Sequence, residues 1–251
     1  MKSMQIEIKI EKLKKKLGPN QALKDITTDF DHGLMHGLIG PEGAGKTTLF
    51  RHIVKLLTAD SGKIDYFKNK QKVDLDEIRA KIAYMPQQQS LYSDLSIDEH
   101  IMFFKEMYNL NEEEFHKKRE QLYEITRLGK FSDRPAGKLS GGMYKKLGLM
   151  CSLMSSPDVL LLDEPTNGVD PISRREFWDL LYHLREEKIL IIVATSYMDE
   201  AERCSKVHLL NEGSLIGSGE PKVLLEENQV NSFNDYFMKV QKAFSSEGIH
   251  G

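Results

Sequence analysis

The sequence is poor in cysteine and has no long apolar segment, and each shortage excludes a class of protein. Its two cysteines, Cys151 and Cys204, lie far apart and form no metal-binding pattern. This excludes a disulfide framework and favours buried thiols in a reducing compartment. No apolar run approaches the roughly 20 residues that a membrane-spanning helix needs. Residues 1–16 lack the apolar core of a signal peptide, so we expect a cytoplasmic protein.

A strong charge of either sign is also lacking. The 251 residues carry 35 basic and 38 acidic side chains, for a net charge of −3. Such a balance provides no field that would favour nucleic acid or an anionic membrane surface. We therefore expect no nucleic-acid partner, and any membrane role must come through a partner protein. With 40% apolar residues, the chain is long enough to bury a sizeable core.

The strongest motif present is a glycine-rich loop between an apolar strand pattern at 34–39 and a helical apolar pattern at 49–57. It fits G-x-x-x-x-G-K-[ST], whose glycines allow backbone N–H groups to surround phosphates at a helix N-terminus. Lys46 is expected to contact the terminal phosphates and Thr47 to ligate Mg²⁺. Strand, loop and helix in this order favour a phosphate loop over a chance glycine-rich turn. The loop consists of Gly40, Pro41, Glu42, Gly43, Ala44, Gly45, Lys46, Thr47 and Thr48.

Two further groups of residues suggest phosphate chemistry. Ser140, Gly141 and Gly142 stand where a helix begins, with Ser140 at the N-cap position, and they form a second anion-binding corner. A methionine-rich stripe from Met143 onwards predicts that this helix is amphipathic, with the stripe in the core. The alternative interpretation of this group is a well-capped helix without a ligand.

A pair of carboxylates follows the apolar strand pattern at residues 159–162. Four apolar residues without alternation predict a strand of a parallel sheet that is buried on both faces. Asp163 and Glu164 stand at its carboxyl end, where such sheets bind ligands. Asp163 can hold Mg²⁺ through water and Glu164 can accept a proton from an attacking water. A plain helix cap is the alternative. Asp170 and Pro171 then predict the start of the next helix.

The distribution of patterns predicts an α/β fold. The first forty residues show mostly strands and turns, which indicates an antiparallel sheet, and residues 90–155 show only helical patterns. Capping-box pairs, Ser96 with Glu99 and Asn111 with Glu114, predict two helix starts within that segment. We therefore predict a P-loop NTPase core with a parallel sheet, an N-terminal antiparallel β subdomain and an inserted α-helical subdomain.

In their order along the chain, these motifs resemble the ATP-binding subunit of ABC transporters. The residues that carry the resemblance are the phosphate loop, Gln87 after a strand, Leu139-Ser140-Gly141-Gly142 and Leu162-Asp163-Glu164-Pro165. Residues 167–171 and 197–202 are similar to the multidrug-export and ABC-2-type branch. The resemblance implies an ATP-binding domain over 1–220 and a helical extension over 221–251. Within that domain, 1–87 and 157–220 would form the β subdomain and nucleotide-binding core, and 88–156 the helical insert.

The resemblance also implies a mechanism. Two such domains would stack head to tail around two ATP molecules with Mg²⁺, each held by one phosphate loop and by the Ser140-Gly141-Gly142 corner of the other subunit. Glu164 would be the catalytic base, Gln87 would contact Mg²⁺ and the attacking water, and Asp170 would lie across the dimer interface. Dimer closure would drive a transmembrane permease subunit, so that the chain would lie peripherally on the inner face of the membrane.

Three residues depart from the family pattern. Met143 replaces the glutamine that usually follows the two signature glycines, and Leu17 stands where an aromatic residue usually stacks on adenine. Ser196 aligns with the switch histidine that normally contacts the γ-phosphate, and serine carries no positive charge. Three hypotheses therefore stand: an exporter ATPase, a soluble ABC protein of translation or DNA repair, and a regulatory subunit that hydrolyses ATP poorly.

Overall fold

Two β-sheets organise the chain in a computed structural model that describes residues 4–88 and 91–247. The antiparallel sheet consists of β1 (Ile6–Leu17), β2 (Asn20–Phe30), β4 (Ser61–Lys68) and β5 (Gln71–Val73), in the order β2-β1-β4-β5. The strands of the second sheet are β3 (Met35–Ile39), β6 (Ile82–Met85), β7 (Val159–Asp163), β8 (Leu190–Thr195), β9 (Lys206–Asn211) and β10 (Ser214–Gly219). Their order is β10-β9-β3-β8-β7-β6, and the sheet is parallel except for its β9–β10 hairpin.

Helices cover the second sheet and make up the insert between β6 and β7. They are α1 (Lys46–Ile53), α2 (Leu75–Ile78), α3 (Ile97–Met107), α4 (Glu112–Thr126), α5 (Gly141–Leu153), α6 (Pro171–Glu186), α7 (Pro221–Asn228) and α8 (Phe233–Glu247). Among the described residues between 91 and 155, the only β pairing is one isolated bridge, from Ser96 to Pro135. The predicted fold class, with its antiparallel β subdomain and helical insert, is confirmed.

The second sheet separates two apolar cores, which explains the unbroken apolar sequences of its strands. Along β7, Val159 and Leu161 face one core, where α1 and the antiparallel sheet pack. Leu160 and Leu162 face the other core, which the helical insert and α8 cover. Successive side chains of a strand point to opposite faces, so a strand covered on both faces needs apolar residues at every position. The same arrangement places the carboxyl ends of β3 and β7 at the same edge of the sheet, separated only by β8.

Both predicted capping boxes are present in the insert. The Ser96 hydroxyl accepts the Glu99 amide at 3.2 Å, and the Glu99 carboxylate accepts the Ser96 amide at 2.7 Å. Asn111 and Glu114 make the same reciprocal pair at the start of α4. An N-cap of this kind contributes about 1 kcal/mol to helix stability, so these helix starts are set by local sequence.

Some elements differ from their sequence predictions. The first helix ends at Ile53, and Leu56, expected on its apolar face, is 64% exposed. The helix α5 is buried on most sides because the sheet and three helices surround it, so it is less amphipathic than its methionine spacing predicts. Residues 248–251 of the expected C-terminal extension lie outside the described residues.

Candidate nucleotide-binding site

The glycine-rich loop connects β3 to α1 in a conformation that depends on its glycines. Gly43 and Gly45 have φ values of +78° and +106°, which residues with a Cβ rarely adopt. A Cβ at Gly45 would lie 2.7 Å from the carbonyl oxygen of Ala22, and a Cβ at Gly40 would lie 2.2 Å from a carbonyl oxygen of β9. Gly45 is the N-cap of α1 and offers no side-chain cap. The amides of the first turn of α1 are therefore available to an anion.

This loop forms one wall of a groove of about 840 Å³. The turn between β1 and β2 forms another wall, with Leu17 among its residues, and Gln87 and Glu164 complete the lining. The volume lies within the range of small-molecule sites. The groove is lined by Leu17, Pro19, Asn20, Gln21, Ala22, Lys24, Glu42, Gly43, Ala44, Gly45, Lys46, Thr47, Thr48, Gln87, Glu164 and Glu212.

A buried ion pair lies at the base of the groove. The ammonium of Lys46 is 3.1 Å from Oε1 of Glu164, and both side chains are nearly inaccessible to solvent. The same ammonium donates to the carbonyl oxygens of Gly40 at 2.7 Å and Pro41 at 3.0 Å. Burying a charge is costly unless it is paired and hydrogen-bonded, and these three oxygens satisfy the requirement. Gly40 and Pro41 thus contact Lys46 through their carbonyl oxygens and are not among the residues that line the groove.

Glu164 is held by its backbone and by Ser196. It adopts a left-handed backbone conformation with φ of +47°, and its amide donates to the Ala194 carbonyl at 2.8 Å. Its second carboxylate oxygen, Oε2, accepts the amide and the hydroxyl of Ser196 at 3.2 and 3.3 Å. The residue at the expected switch position therefore contacts the expected base directly.

Asp163 has the surroundings of a cation ligand. It is fully buried at the end of β7, and its Oδ2 accepts the hydroxyl of Tyr84 at 3.1 Å. The pKa of Asp163 is raised, because burial outweighs the hydrogen bond from Tyr84 and the charge of Lys46. Its other oxygen, Oδ1, is buried and has no hydrogen-bond partner among the described residues. A buried unpaired carboxylate oxygen beside a threonine hydroxyl fits Mg²⁺, which prefers such hard oxygen ligands.

The second expected anion corner lies outside the groove lining. Ser140 caps α5, where its hydroxyl accepts the amide of the third helical residue at 3.3 Å. A Cβ at Gly142 would lie 2.5 Å from that of Ser173 at the start of α6, and Gly141 also lies close to the segment before α6. Asp170 caps α6 through two backbone amides. The structure thus brings Ser140, Gly141, Gly142 and Asp170 together at neighbouring helix starts.

Two polar side chains near the site were not predicted from the sequence. Glu200 is fully buried, and its Oε1 accepts hydrogen bonds from Thr166 at 2.8 Å, Arg174 at 2.7 Å and Trp178 at 2.9 Å. It thereby ties the segment after Ser196 to the segment after Glu164. Lys145 reaches backbone carbonyls at the groove. Glu200 lies in a polar stretch and Lys145 on a largely apolar helix, and no local sequence pattern indicates the contacts that either side chain makes.

A phosphate loop, a carboxylate pair at a parallel-sheet edge and a helical insert together define a P-loop nucleotide-binding domain. Within that class, the chain belongs to the ABC transporter family, which matches residues 23–167. The resemblance to its ATP-binding subunits is confirmed.

Individual relatives agree with this assignment. The chain is 46% identical over 201 residues to the Escherichia coli (strain K12) protein called "Probable multidrug ABC transporter ATP-binding protein YbhF", covering 80% of this chain and 35% of that protein. It thus spans about a third of that relative. It is 32% identical over 220 residues to "Nod factor export ATP-binding protein I" of Burkholderia lata, covering 87% of this chain and 72% of that protein. A solved "ATP binding subunit of ABC transporter" superposes with a TM-score of 0.80 at 25% identity, covering 93% and 99% of the two chains. Within residues 4–88 and 91–247, no helix is long and apolar enough to cross a membrane.

Proposed function

We propose that the chain binds ATP with Mg²⁺ and hydrolyses ATP to ADP and phosphate to power an export transporter. The observation that carries this proposal is the groove in which the phosphate loop, the buried Lys46 and the buried Glu164 meet. An ammonium and a carboxylate are placed there beside uncapped helix amides, which is the arrangement that phosphate binding and water activation need.

We propose roles for the phosphate loop, for the residues that would hold the metal ion and for the catalytic residues. Bound ATP with Mg²⁺ supplies the phosphoanhydride that water attacks. The loop amides and Lys46 bind the phosphates, while Asp163, Thr47 and Gln87 hold the metal ion. Glu164 accepts the proton of the attacking water, which Gln87 orients. Leu17, 42% exposed at the end of β1, lies where the base would bind and offers an apolar contact without aromatic stacking.

The second anion corner supports a dimer. Ser140, Gly141 and Gly142 do not line the groove of their own chain, yet they present a helix start at the protein surface. We propose that they bind the γ-phosphate held by a second cassette, identical or different, and that Asp170 lies at the interface. Closure of this dimer on two ATP molecules would then couple ATP binding to movement of the transporter.

An apolar surface on the helical insert supports a transmembrane partner. Met102, Phe103 and Met107 on α3 are between 43% and 49% exposed, and the nearby Tyr92 is 57% exposed. Clustered exposed apolar residues mark interaction sites, and we propose that a permease subunit docks here on the cytoplasmic face of the membrane. The names of the relatives, multidrug and export proteins, favour export.

We also propose the domain boundaries that follow from this assignment. Residues 1–220 form the cassette, with 1–87 and 157–220 as β subdomain and nucleotide-binding core and 88–156 as the helical insert. Residues 221–251 form a helical extension, of which α8 packs against the core through Phe233 and Tyr236.

A weakly hydrolysing, regulatory subunit is the second candidate function. The observation that favours it is Ser196, which bonds to Glu164 and cannot offer the charge of a histidine. Phosphate release by the purified chain with Mg²⁺-ATP, measured beside a Glu164→Gln control, distinguishes the two candidates. Release that depends on Glu164 supports the ATPase, whereas binding without release favours the regulatory subunit.

The transport role requires a separate test. The chain is expressed with a candidate permease and purified from membranes, and Phe103→Glu serves as the variant that places a charge on the apolar surface of α3. Recovery of the permease with the natural chain, and its loss with Phe103→Glu, supports docking at α3. A chain that remains absent from the membrane fraction contradicts the transport role.

A further inference from the structure

Lys145, which does not line the groove itself, connects the two lining residues Gln87 and Glu164. It lies on α5, five residues after Ser140, and its ammonium is 3.2 Å from the carbonyl oxygen of Gln87 and 3.3 Å from that of Glu164. Burial lowers the pKa of Lys145, while the charges of Glu164 and Asp163 raise it. A lysine with three donors can bind both carbonyls at once.

The backbone of Glu164 needs such support. Its φ of +47° is disfavoured for any residue with a Cβ, and conformations of this kind persist only where several contacts hold them. Two backbone bonds do so, from the Glu164 amide to Ala194 at 2.8 Å and from the Asn167 amide to the Glu164 carbonyl at 3.3 Å. The ammonium of Lys145 is the third contact to the main chain of Glu164, and among these three it is the one made by a side chain.

The neighbouring lysine makes a useful contrast. Lys146 is buried on α5, and its ammonium pairs with the Glu176 carboxylate of α6 at 2.6 Å. That pair lies beside a separate cavity between α4, α5 and α6. Two adjacent lysines of one helix thus bind different neighbours, and only Lys145 bonds to the groove.

We propose that Lys145 is a positioning residue that fixes the main chains of Gln87 and Glu164. It thereby links α5, which begins at the Ser140-Gly141-Gly142 corner, to the catalytic carboxylate of the same chain. The inference rests on the proposed function, since that function makes Glu164 the base and assigns the start of α5 to the nucleotide of a second cassette. A small displacement of a catalytic group can lower a rate by about 10²-fold. Lys145 acts through backbone atoms, so its removal affects turnover more than nucleotide affinity.

The test compares the natural chain with Lys145→Met, Lys145→Arg and Lys146→Met. Amide hydrogen exchange without nucleotide is measured over peptides that contain Gln87 and residues 163–168. Affinity is measured with a fluorescent ATP analogue and Mg²⁺, and kcat and KM follow from phosphate release. We expect Lys145→Met to speed exchange in both segments and to lower kcat by about 10-fold or more. Nucleotide affinity should change by less than about 3-fold.

The two other variants decide between positioning and general stability. Arginine can donate to both carbonyls, so Lys145→Arg should restore most of kcat and the slow exchange. Lys146→Met should leave exchange at both segments unchanged, whatever it does to thermal stability. Equal effects of Lys145→Met and Lys146→Met, or unchanged exchange in Lys145→Met, overturn the proposal. If the natural chain does not hydrolyse ATP, the proposed function fails, while the exchange experiment still tests the contact itself.

Discussion

The starts of α1 and α5, where we propose that phosphate binds, differ in how their first backbone amides are capped. Before α1, the N-cap Gly45 has φ of +106° and no side chain, so the first-turn amides have no internal partner. Before α5, the N-cap Ser140 has an extended backbone, and its hydroxyl already accepts one of the amides. The start of α1 is thus open to a ligand at all times, whereas the start of α5 is stable without one.

The two helix starts also differ in the charged side chains around them. The α1 start has Lys46 and Glu164 paired within its groove, and a phosphate would compete with the carboxylate for the ammonium. At the α5 start, Ser140 and Gly141 are exposed, and the atoms closest to Gly141 and Gly142 belong to the uncharged residues Gly168, Val169 and Ser173. We infer that the first site holds a nucleotide alone and that the second contributes only after a neighbouring chain brings the phosphate.

Removal of the charge at the α1 start should have the largest effect. In Lys46→Ala, the phosphates lose their cationic partner, and we expect ATP affinity to fall by about 100-fold or more. The variant also leaves Glu164 buried without its partner, which costs about 3–5 kcal/mol of stability. Titration with a fluorescent ATP analogue measures the first effect and thermal unfolding the second.

A double variant separates these two effects. In Lys46→Ala with Glu164→Gln, no buried charge is left unpaired, so most of the thermal stability should return while ATP binding stays lost. Unchanged affinity in Lys46→Ala would show that the loop is not the phosphate site.

Blocking the α5 start should abolish assembly but leave binding intact. In a Glu164→Gln background, ATP with Mg²⁺ should produce a dimer, because nucleotide binding survives while the base is lost. Ser140→Arg places a long side chain where the second cassette would bring its phosphate, so the dimer should not form. Light scattering reports the mass, and nucleotide titration of the same protein should give an affinity within about 3-fold of its parent. A Glu164→Gln chain that stays monomeric at saturating ATP contradicts the two-site arrangement.

The completeness of the α1 site depends on Ser196. A histidine there could give the γ-phosphate one more hydrogen bond in the transition state, and one such contact is worth about 10²–10³-fold in rate. We expect Ser196→His to raise kcat towards that range with little change in nucleotide affinity. Ser196→Ala is the control, since it removes the hydroxyl bond to Glu164 but keeps the amide bond. If Ser196→His leaves kcat unchanged or lowers it, the switch position does not limit turnover.

Local sequence patterns predicted the elements that carry these sites. Turn glycines, capping residues and apolar strands act within a few residues, and for this reason the β3–loop–α1 unit and the start of α5 could be read from the chain. The three motif residues Lys46, Gln87 and Glu164, which the resemblance assigns to one nucleotide site, all line the groove. The roles of these residues remain predictions.

Tertiary contacts account for what the sequence did not predict. Glu200 is fully buried by contacts with residues of α6 and the segment before it, and Lys145 bonds to carbonyl oxygens of residues that are distant in sequence. The short helix α7 lies in the helical extension that the resemblance implies, but its 8 residues hold too few apolar positions to show a helical period of their own. The pairing of Lys46 with Glu164 joins residues far apart in sequence, which no local pattern encodes.

The smallest expected effect tests the cap that distinguishes α5 from α1. Ser140→Ala removes the hydroxyl that accepts an amide of α5, and loss of an N-cap of this kind costs about 1 kcal/mol. Ser140→Gly should cost only roughly a few tenths of 1 kcal/mol, because glycine tolerates the N-cap conformation and lets water bind the free amides. Urea unfolding of the nucleotide-free chain measures both variants. Neither variant changes the start of α1, which has no side-chain cap. The additional stability that bound nucleotide gives through the first turn of α1 should therefore be the same in both variants as in the natural chain. A loss in Ser140→Gly as large as that in Ser140→Ala would show that the hydroxyl does not distinguish the two helix starts.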